Sequence, residues 1–285
     1  MLRKFSPIQF SLIAVIAASG FLFPSCGGHE DENSEAKDFE VTKDTISSEV
    51  RVNFDMLRVN IPTPSKLSAM LSGAKINYNK SFLVPSSRAG SFSSNYQKAV
   101  GIGALGADLS LAAAYNQSQD AIEYLSQVGK LAGDLGIGTA FDQEFSKKLI
   151  QNVSKPDSFQ VMLDKAFEKA ERNLRSNQRV AISIMMITGG WIESLYTTVE
   201  GVNTNPNGPN TGKIYADISA HCYAFDYVFQ LLTAYKSNAD CAKLLQDMEP
   251  SRIMLYSIGK NNRIGAAELP KIREVVTQLR TKVIG

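Results

Sequence analysis

The spacing of apolar and polar residues predicts a chain built from helices. Between residues 96 and 137, apolar positions recur at steps of three and four, which predicts two consecutive amphipathic helices. Small residues occupy one face of the first of these helices: Ala99, Gly103, Gly106, Ser110 and Ala114. Another backbone can approach such a face closely, so we expect Gly103 and Gly106 to lie in a helix–helix contact at the centre of the core.

Further helices are predicted on both sides of this pair. Thr63 followed by Pro64 is typical of a helix start. The uncharged run over residues 180–192 is too short to span a bilayer, so it predicts a buried core helix. Other helices are expected over residues 67–73, 141–153, 159–174, 214–236, 239–248, 251–258 and 269–283. The predicted fold is all-α, an irregular multi-helix bundle of about eight to ten helices.

The first 49 residues differ from the rest of the chain. Arg3 and Lys4 precede an uncharged apolar stretch that ends at Cys26, an arrangement that resembles a bacterial lipoprotein signal peptide and predicts lipidation of Cys26. An uncleaved membrane anchor and an ordinary secretory leader are the alternatives. The acidic segment that follows cannot bury enough apolar surface to fold. We therefore expect a signal peptide over 1–25, a disordered tether over 26–49 and one helical domain over 50–285.

Charge and histidine content exclude several function classes. Removal of Arg3 and Lys4 with the signal peptide cancels the formal net charge of +2, and the other basic residues are scattered, so no nucleic-acid partner is expected. The two histidines, His29 and His221, cannot form a His-x-x-x-His pair, and we predict no metal site and no cofactor. His221 is expected to be packed in the core or at its rim rather than to act as a catalytic base.

The two cysteines outside the N-terminal region are predicted to be free thiols. If one helix runs without a break from residue 214 to residue 236, Cys222 and Cys241 are separated by roughly 20 Å along its axis. A disulfide requires Cα atoms within about 7 Å of each other. If the distance allowed it, export to an oxidising compartment would favour a disulfide between them.

Five polar or aromatic residues are candidates for ligand contact: Asp108, Tyr115, Trp191, Glu193 and Tyr196. Asp108 lies among apolar residues and Glu193 directly follows the uncharged run, so each carboxylate must find a donor or shift its pKa. Two functions remain open. One is a non-enzymatic lipoprotein, without catalytic residues, that has a structural role or binds a small molecule, a glycan or a protein. The alternative is a glycosidase-type hydrolase with Asp108 and Glu193 as its acid–base pair.

Three motifs together resemble those of an uncharacterised family of Bacteroidota lipoproteins: IPTP at residues 61–64, GADL at 106–109 and GGWIE at 189–193. The similarity runs from about residue 55 to the last residue. The acidic cluster after Cys26 also resembles the signal that directs lipoproteins of that phylum to the cell surface. The alternative is a spacer that only repels the anionic membrane. The resemblance implies an all-helical protein, held in the outer membrane by a lipid on Cys26 and facing the cell surface, with no assigned activity.

Overall fold

The part of the chain that the structure describes is almost entirely helical. The structure is a computed structural model that describes residues 47–60, 63–261 and 264–285. Over these residues it contains ten α-helices, three short 3₁₀ turns and no strand, which confirms the all-α prediction and the predicted number of helices. The predicted signal peptide, Cys26 and most of the predicted tether lie outside the described residues.

Most helices follow one another with short connections. They are α1 (Ser48–Asn60), α2 (Pro64–Gly73), α3 (Asn95–Ala114), α4 (Ser118–Asp134), α5 (Gln143–Asn152), α6 (Pro156–Ser176), α7 (Val180–Asn203), α8 (Thr211–Ala234), α9 (Ala239–Asn261) and α10 (Leu269–Val283). The 3₁₀ turns are Lys80–Phe82, Ser86–Ser91 and Gly138–Ala140. The longest connection, residues 74–94, lies between α2 and α3. The first two of the 3₁₀ turns lie in this segment, where the sequence predicts a loop.

Local sequence signals set where several helices begin and end. The Thr63 hydroxyl accepts a hydrogen bond from the Lys66 backbone N–H, and Pro64 is the first residue of α2, as predicted. Ser94 and Gln97 form a reciprocal capping box at the start of α3. Gly136 has φ +67°, and this left-handed conformation lies just after the end of α4.

Two helices differ from those expected from the sequence. α1 (Ser48–Asn60) covers a segment for which the sequence pattern predicts no helix. The prediction of two separate helices over 239–248 and 251–258 is wrong, because α9 continues through Pro250. A proline within a helix removes one backbone hydrogen bond. Here Met248 and Leu255, one on each side of the proline, are both fully buried, and this packing holds the two halves in one helix.

The core is centred on a close contact between α3 and α7. A Cβ atom added to Gly103 would overlap the carbonyl oxygen of Met186 and lie 2.6 Å from the backbone nitrogen of Gly190. A Cβ atom on Gly189 would overlap the Val100 carbonyl in the same way. The two backbones therefore touch where side chains are missing, and this confirms the predicted contact at Gly103.

Gly106 meets a side chain rather than a backbone. A Cβ atom added to Gly106 would overlap the ring of Phe167 on α6. The predicted helix–helix contact at Gly106 is thus confirmed, with α6 rather than α7 as its partner. The small-residue face of α3 accommodates two different helices along its length.

The two longest helices also agree with the sequence predictions. α7 is the one helix in the described part of the chain that is long and apolar enough to cross a membrane, yet 83% of its most apolar window is buried inside the protein. It is the predicted core helix. α8 is continuous, and Cys222 and Cys241 are buried free thiols, as expected.

Replacement of Gly103 by alanine should destabilise the protein, although alanine favours a helix by about 1 kcal/mol over glycine. The new methyl group overlaps backbone atoms of α7 that cannot move independently, so we expect a net loss of more than about 2 kcal/mol. Gly129→Ala on α4 is the matched control, because nothing lies within 4 Å of the added methyl group there. Chemical denaturation should show Gly103→Ala less stable and Gly129→Ala at least as stable as the wild type. Equal stability of the two variants would contradict the close contact.

Candidate functional site

A cavity of about 300 Å³, partly open to solvent, lies between α3, α6 and α7. The space exists because residues on α3, among them Gly106 and Ala107, have little or no side chain. Leu163 and Phe167 line the side formed by α6. Its walls are therefore largely apolar. Such a cavity has the usual character of a small-molecule binding site.

Trp191 on α7 is the one predicted ligand contact that lines this cavity. Its indole stacks on the imidazole of His221 from α8, with ring centroids 5.2 Å apart and an interplanar angle of 23°. Trp191 Nε1 donates a hydrogen bond to the His221 carbonyl (3.2 Å), and His221 Nε2 lies 2.9 Å from the Trp191 carbonyl. These reciprocal contacts hold both rings in fixed orientations at the cavity wall.

One side of the cavity carries negative charge. Asp164, Glu168 and Glu171 of α6 share a helix face because they are spaced by four and three residues, and all three line the cavity. Glu168 pairs with Arg172 and Glu171 pairs with Arg175. Asp164 accepts a 2.6 Å hydrogen bond from Ser65 Oγ, and burial raises the pKa of its carboxyl group. Among the residues described, no cationic side chain forms an ion pair with Asp164.

The two predicted acid–base candidates are neighbours, but they lie in the core and not in the cavity. Asp108 and Glu193 are both 0% exposed. Arg280 of α10 donates two hydrogen bonds to Glu193, from Nε to Oε2 (2.7 Å) and from Nη2 to Oε1 (2.9 Å). Asp108 Oδ2 accepts a hydrogen bond from the Val84 backbone N–H (2.9 Å). Both carboxyl groups are thus engaged with groups of the protein itself.

Burial raises the pKa of both carboxyl groups, and their other neighbours act on the two groups in opposite directions. At Asp108 the negative charge of Glu193 adds to the effect of burial and raises the pKa well above its usual value. At Glu193 the charge and the hydrogen bonds of Arg280 oppose the effect of burial. Asp108 is therefore the member of the pair that takes up a proton more readily, beside a Glu193–Arg280 ion pair.

The other two candidate ligand contacts are tyrosines. Tyr196 packs beside the Glu193–Arg280 ion pair, and Tyr115 contacts the loop before α3. The Arg280 guanidinium lies over the ring of Tyr196, 4.3 Å from its centroid. Tyr115 donates a 2.6 Å hydrogen bond to the Ile76 carbonyl. Like Asp108 and Glu193, neither tyrosine lines the cavity. The tyrosines fix the loop before α3 and the last helix to the core.

Seven polar residues that line the cavity were not among the sequence candidates: Thr63, Ser110, Asp164, Glu168, Glu171, Ser194 and His221. His221 was expected to be packed in the core, and it is 1% exposed. Ser194 lies one turn after Trp191 on α7, and this spacing was the one signal that could have identified it. No group of three or more His, Cys, Asp or Glu side chains that could hold a metal ion occurs in the regions described.

The protonation of the buried pair predicts that its two members tolerate amide substitution differently. In Asp108→Asn, the amide oxygen can still accept from the Val84 N–H and the neutral amide resembles the neutral carboxyl group that burial favours, so the free energy of unfolding should change by less than about 1 kcal/mol at pH 7. In Glu193→Gln, Arg280 keeps its charge without a carboxylate, and the loss should be about 3–5 kcal/mol. Urea denaturation of both variants measures this difference, and a Glu193→Gln variant as mild as Asp108→Asn would contradict the assignment.

The same assignment predicts how stability depends on pH. Because the pKa of Asp108 is raised in the folded protein, its contribution to stability is fully present below about pH 4 and is lost as the pH rises through the folded-state pKa. Asp108→Asn removes this titration. Denaturation at pH 5 and pH 9 should therefore show the wild type losing stability relative to Asp108→Asn at the higher pH.

Comparison of the chain with protein-family models, with curated proteins and with solved structures finds no match. The resemblance to Bacteroidota lipoproteins therefore stays a prediction from the sequence.

Proposed function

We propose that this protein is a membrane-anchored lipoprotein whose helical domain binds a small, largely apolar molecule in the cavity between α3, α6 and α7. The observation that carries this proposal is the cavity itself, with apolar walls, a partly open form and a volume of about 300 Å³. Burial of an apolar ligand there removes its surface from water, which contributes about 25 cal/mol for each Å².

The volume sets the size of the ligand. A protein cavity of about 150 Å³ with apolar walls binds benzene. A space of about 300 Å³ is large enough for a molecule with two fused or linked rings, or for a branched chain of similar volume. A largely apolar molecule fits these walls better than a glycan, because many hydroxyl groups of a glycan would lie against the apolar part of the wall without polar partners.

The acid pair of Asp108 and Glu193 supports a structural role rather than hydrolysis. Neither carboxyl is exposed, and Arg280 already occupies both oxygens of Glu193. A glycosidase needs both groups on either side of a substrate bond. We therefore place ligand binding, and not catalysis, at the centre of the proposal.

Anchoring rests on the N-terminal sequence. The proposed lipid on Cys26 would hold the domain at the outer membrane, on the cell-surface side, through the acidic segment that follows the cysteine. In cells of a bacterium that processes lipoproteins, the wild type should fractionate with membranes and carry the mass of a diacylglycerol and an acyl chain. Cys26→Ser should lose that mass. A wild type without acyl mass would contradict the anchor and leave the cavity proposal untouched.

Binding can be detected through Trp191, which is the only tryptophan in the chain and lines the cavity. The neutral fluorescent probe N-phenyl-1-naphthylamine should bind and receive energy from Trp191, giving a saturable signal. In Ala107→Phe the new ring should fill the cavity and reduce probe affinity at least tenfold. Ala114→Phe is the control, because it makes the same change on α3 at a partly exposed residue that does not line the cavity.

Circular dichroism should establish that both variants are folded. If Ala107→Phe does not fold, Leu163→Ala supplies a second test, since it enlarges the cavity and should change probe affinity. Leu149→Ala, at a fully buried leucine away from the cavity, should leave the affinity unchanged. The absence of energy transfer in the wild type would contradict a ligand site at this place.

A further inference from the structure

One carboxylate on the cavity wall has no positive charge to balance it. Asp164 lines the cavity and is only partly buried, and no cationic side chain in the described part of the chain forms an ion pair with it. Ser65 donates a hydrogen bond to its Oδ2 atom, whereas no described residue donates one to Oδ1. Oδ1 is also absent from the unpaired side-chain atoms that the protein encloses. This oxygen is therefore open to contact with a bound molecule.

Hydrogen bonds within the protein hold this carboxylate at the edge of the cavity where α2 begins. Thr63 caps α2, Pro64 is its first residue, and both line the cavity together with Asp164. Ser65 Oγ donates to Asp164 Oδ2 (2.6 Å) and lies 2.8 Å from Thr63 Oγ1. Because Ser65 uses its proton for Asp164, the Thr63 hydroxyl donates to Ser65. The carboxylate is thus oriented before a ligand arrives, which lowers the entropic cost of binding.

The rest of the cavity wall adds negative charge and no positive charge. Glu168 and Glu171 line the cavity, and each forms an ion pair with an arginine of its own helix. No Lys or Arg occurs among the described residues that line the cavity. A ligand with a negative charge would be repelled by Asp164, whereas a ligand with a positive charge would be attracted.

Aromatic side chains offer a second contact for an organic cation. Phe54, Phe167 and Trp191 line the same cavity. Aromatic rings attract cations, and quaternary ammonium groups are typically bound among such rings. A quaternary ammonium group carries no N–H, so it leaves no donor unpaired beside apolar walls. The wall thus combines the two features that such a cation needs, an aromatic surface and an unpaired carboxylate.

On the basis of the proposed binding function, we infer that the ligand of this cavity is an apolar organic cation, such as a molecule with a quaternary ammonium group. The charged group lies beside Asp164 at the edge of the cavity. The apolar part of the ligand lies against Leu163, Phe167 and Trp191.

Three ligands of one shape and different charge test this inference on the wild-type protein: phenyltrimethylammonium, tert-butylbenzene and benzenesulfonate. Displacement of N-phenyl-1-naphthylamine at pH 8 measures their affinities. An apolar cavity without charge would bind the hydrocarbon far more tightly than the cation, because the cation must leave water. We expect phenyltrimethylammonium to bind at least as tightly as tert-butylbenzene. Benzenesulfonate should bind more weakly than the cation by about tenfold or more.

A comparison of choline with phosphocholine distinguishes a free organic cation from a lipid headgroup. Both carry the same quaternary ammonium group, but phosphocholine also carries a phosphate close to it. Repulsion by the carboxylates of α6 should make phosphocholine the weaker competitor. Tighter binding of phosphocholine would contradict the exclusion of negative groups and indicate a lipid headgroup instead.

The contribution of the carboxylate can be isolated with a matched pair of variants. Asp164→Asn keeps the size of the side chain and an oxygen that can accept from Ser65, but it removes the charge. It should weaken the binding of phenyltrimethylammonium about tenfold and leave that of tert-butylbenzene unchanged. Asp157→Asn is the control, since it removes the same charge from an exposed position on α6 that does not line the cavity. It should leave both affinities unchanged.

The outcomes separate this inference from the function on which it rests. If tert-butylbenzene displaces the probe and phenyltrimethylammonium does not, the cavity binds apolar molecules and the inference of a cation is wrong. The inference is also wrong if Asp164→Asn weakens both ligands equally. If no ligand displaces the probe and the probe itself shows no energy transfer from Trp191, the proposed function is wrong too. The comparison of the three ligands needs no variant, so it remains decisive even if Asp164→Asn does not fold.

Discussion

The contact between the backbones of α3 and α7 is the constraint on which the rest of the structure depends. Gly103 and Gly189 each leave room only for the other helix's backbone. This approach brings Asp108 and Glu193, one from each helix, close enough for each to shift the pKa of the other. It also places the small residues of α3 beside the Trp191 face of α7, where the cavity forms. The buried acid pair and the candidate binding site thus have the same origin.

The buried acid pair connects three helices. Arg280 of α10 donates to both carboxylate oxygens of Glu193 on α7, and Asp108 on α3 accepts from the Val84 backbone N–H. Because both carboxyl groups are fully buried, the position of α10 is tied to the contact between α3 and α7.

Much of the fold could be predicted from the sequence, because helix periodicity, caps and a stripe of small residues are local signals. The burial of Asp108 and Glu193 could be predicted for the same reason. Their partner could not, since Arg280 lies 87 residues after Glu193 and only the packing of α10 brings it there. The cavity was also beyond prediction, because an empty volume depends on how Phe167 and its neighbours pack against α3. The prediction that Pro250 separates two helices was wrong. The free energy gained by burying residues on both sides of this proline outweighs the loss of one backbone hydrogen bond in α9.

The long separation of Glu193 and Arg280 along the chain bears on the order in which the protein is assembled. A chain made only as far as α9 would contain the glycine contact between α3 and α7 but would have no guanidinium for the carboxylate of Glu193. Burial of that lone charge opposes closure of the core. We therefore expect the packing of α3 against α7 to become complete only after the helix that carries Arg280 has been made.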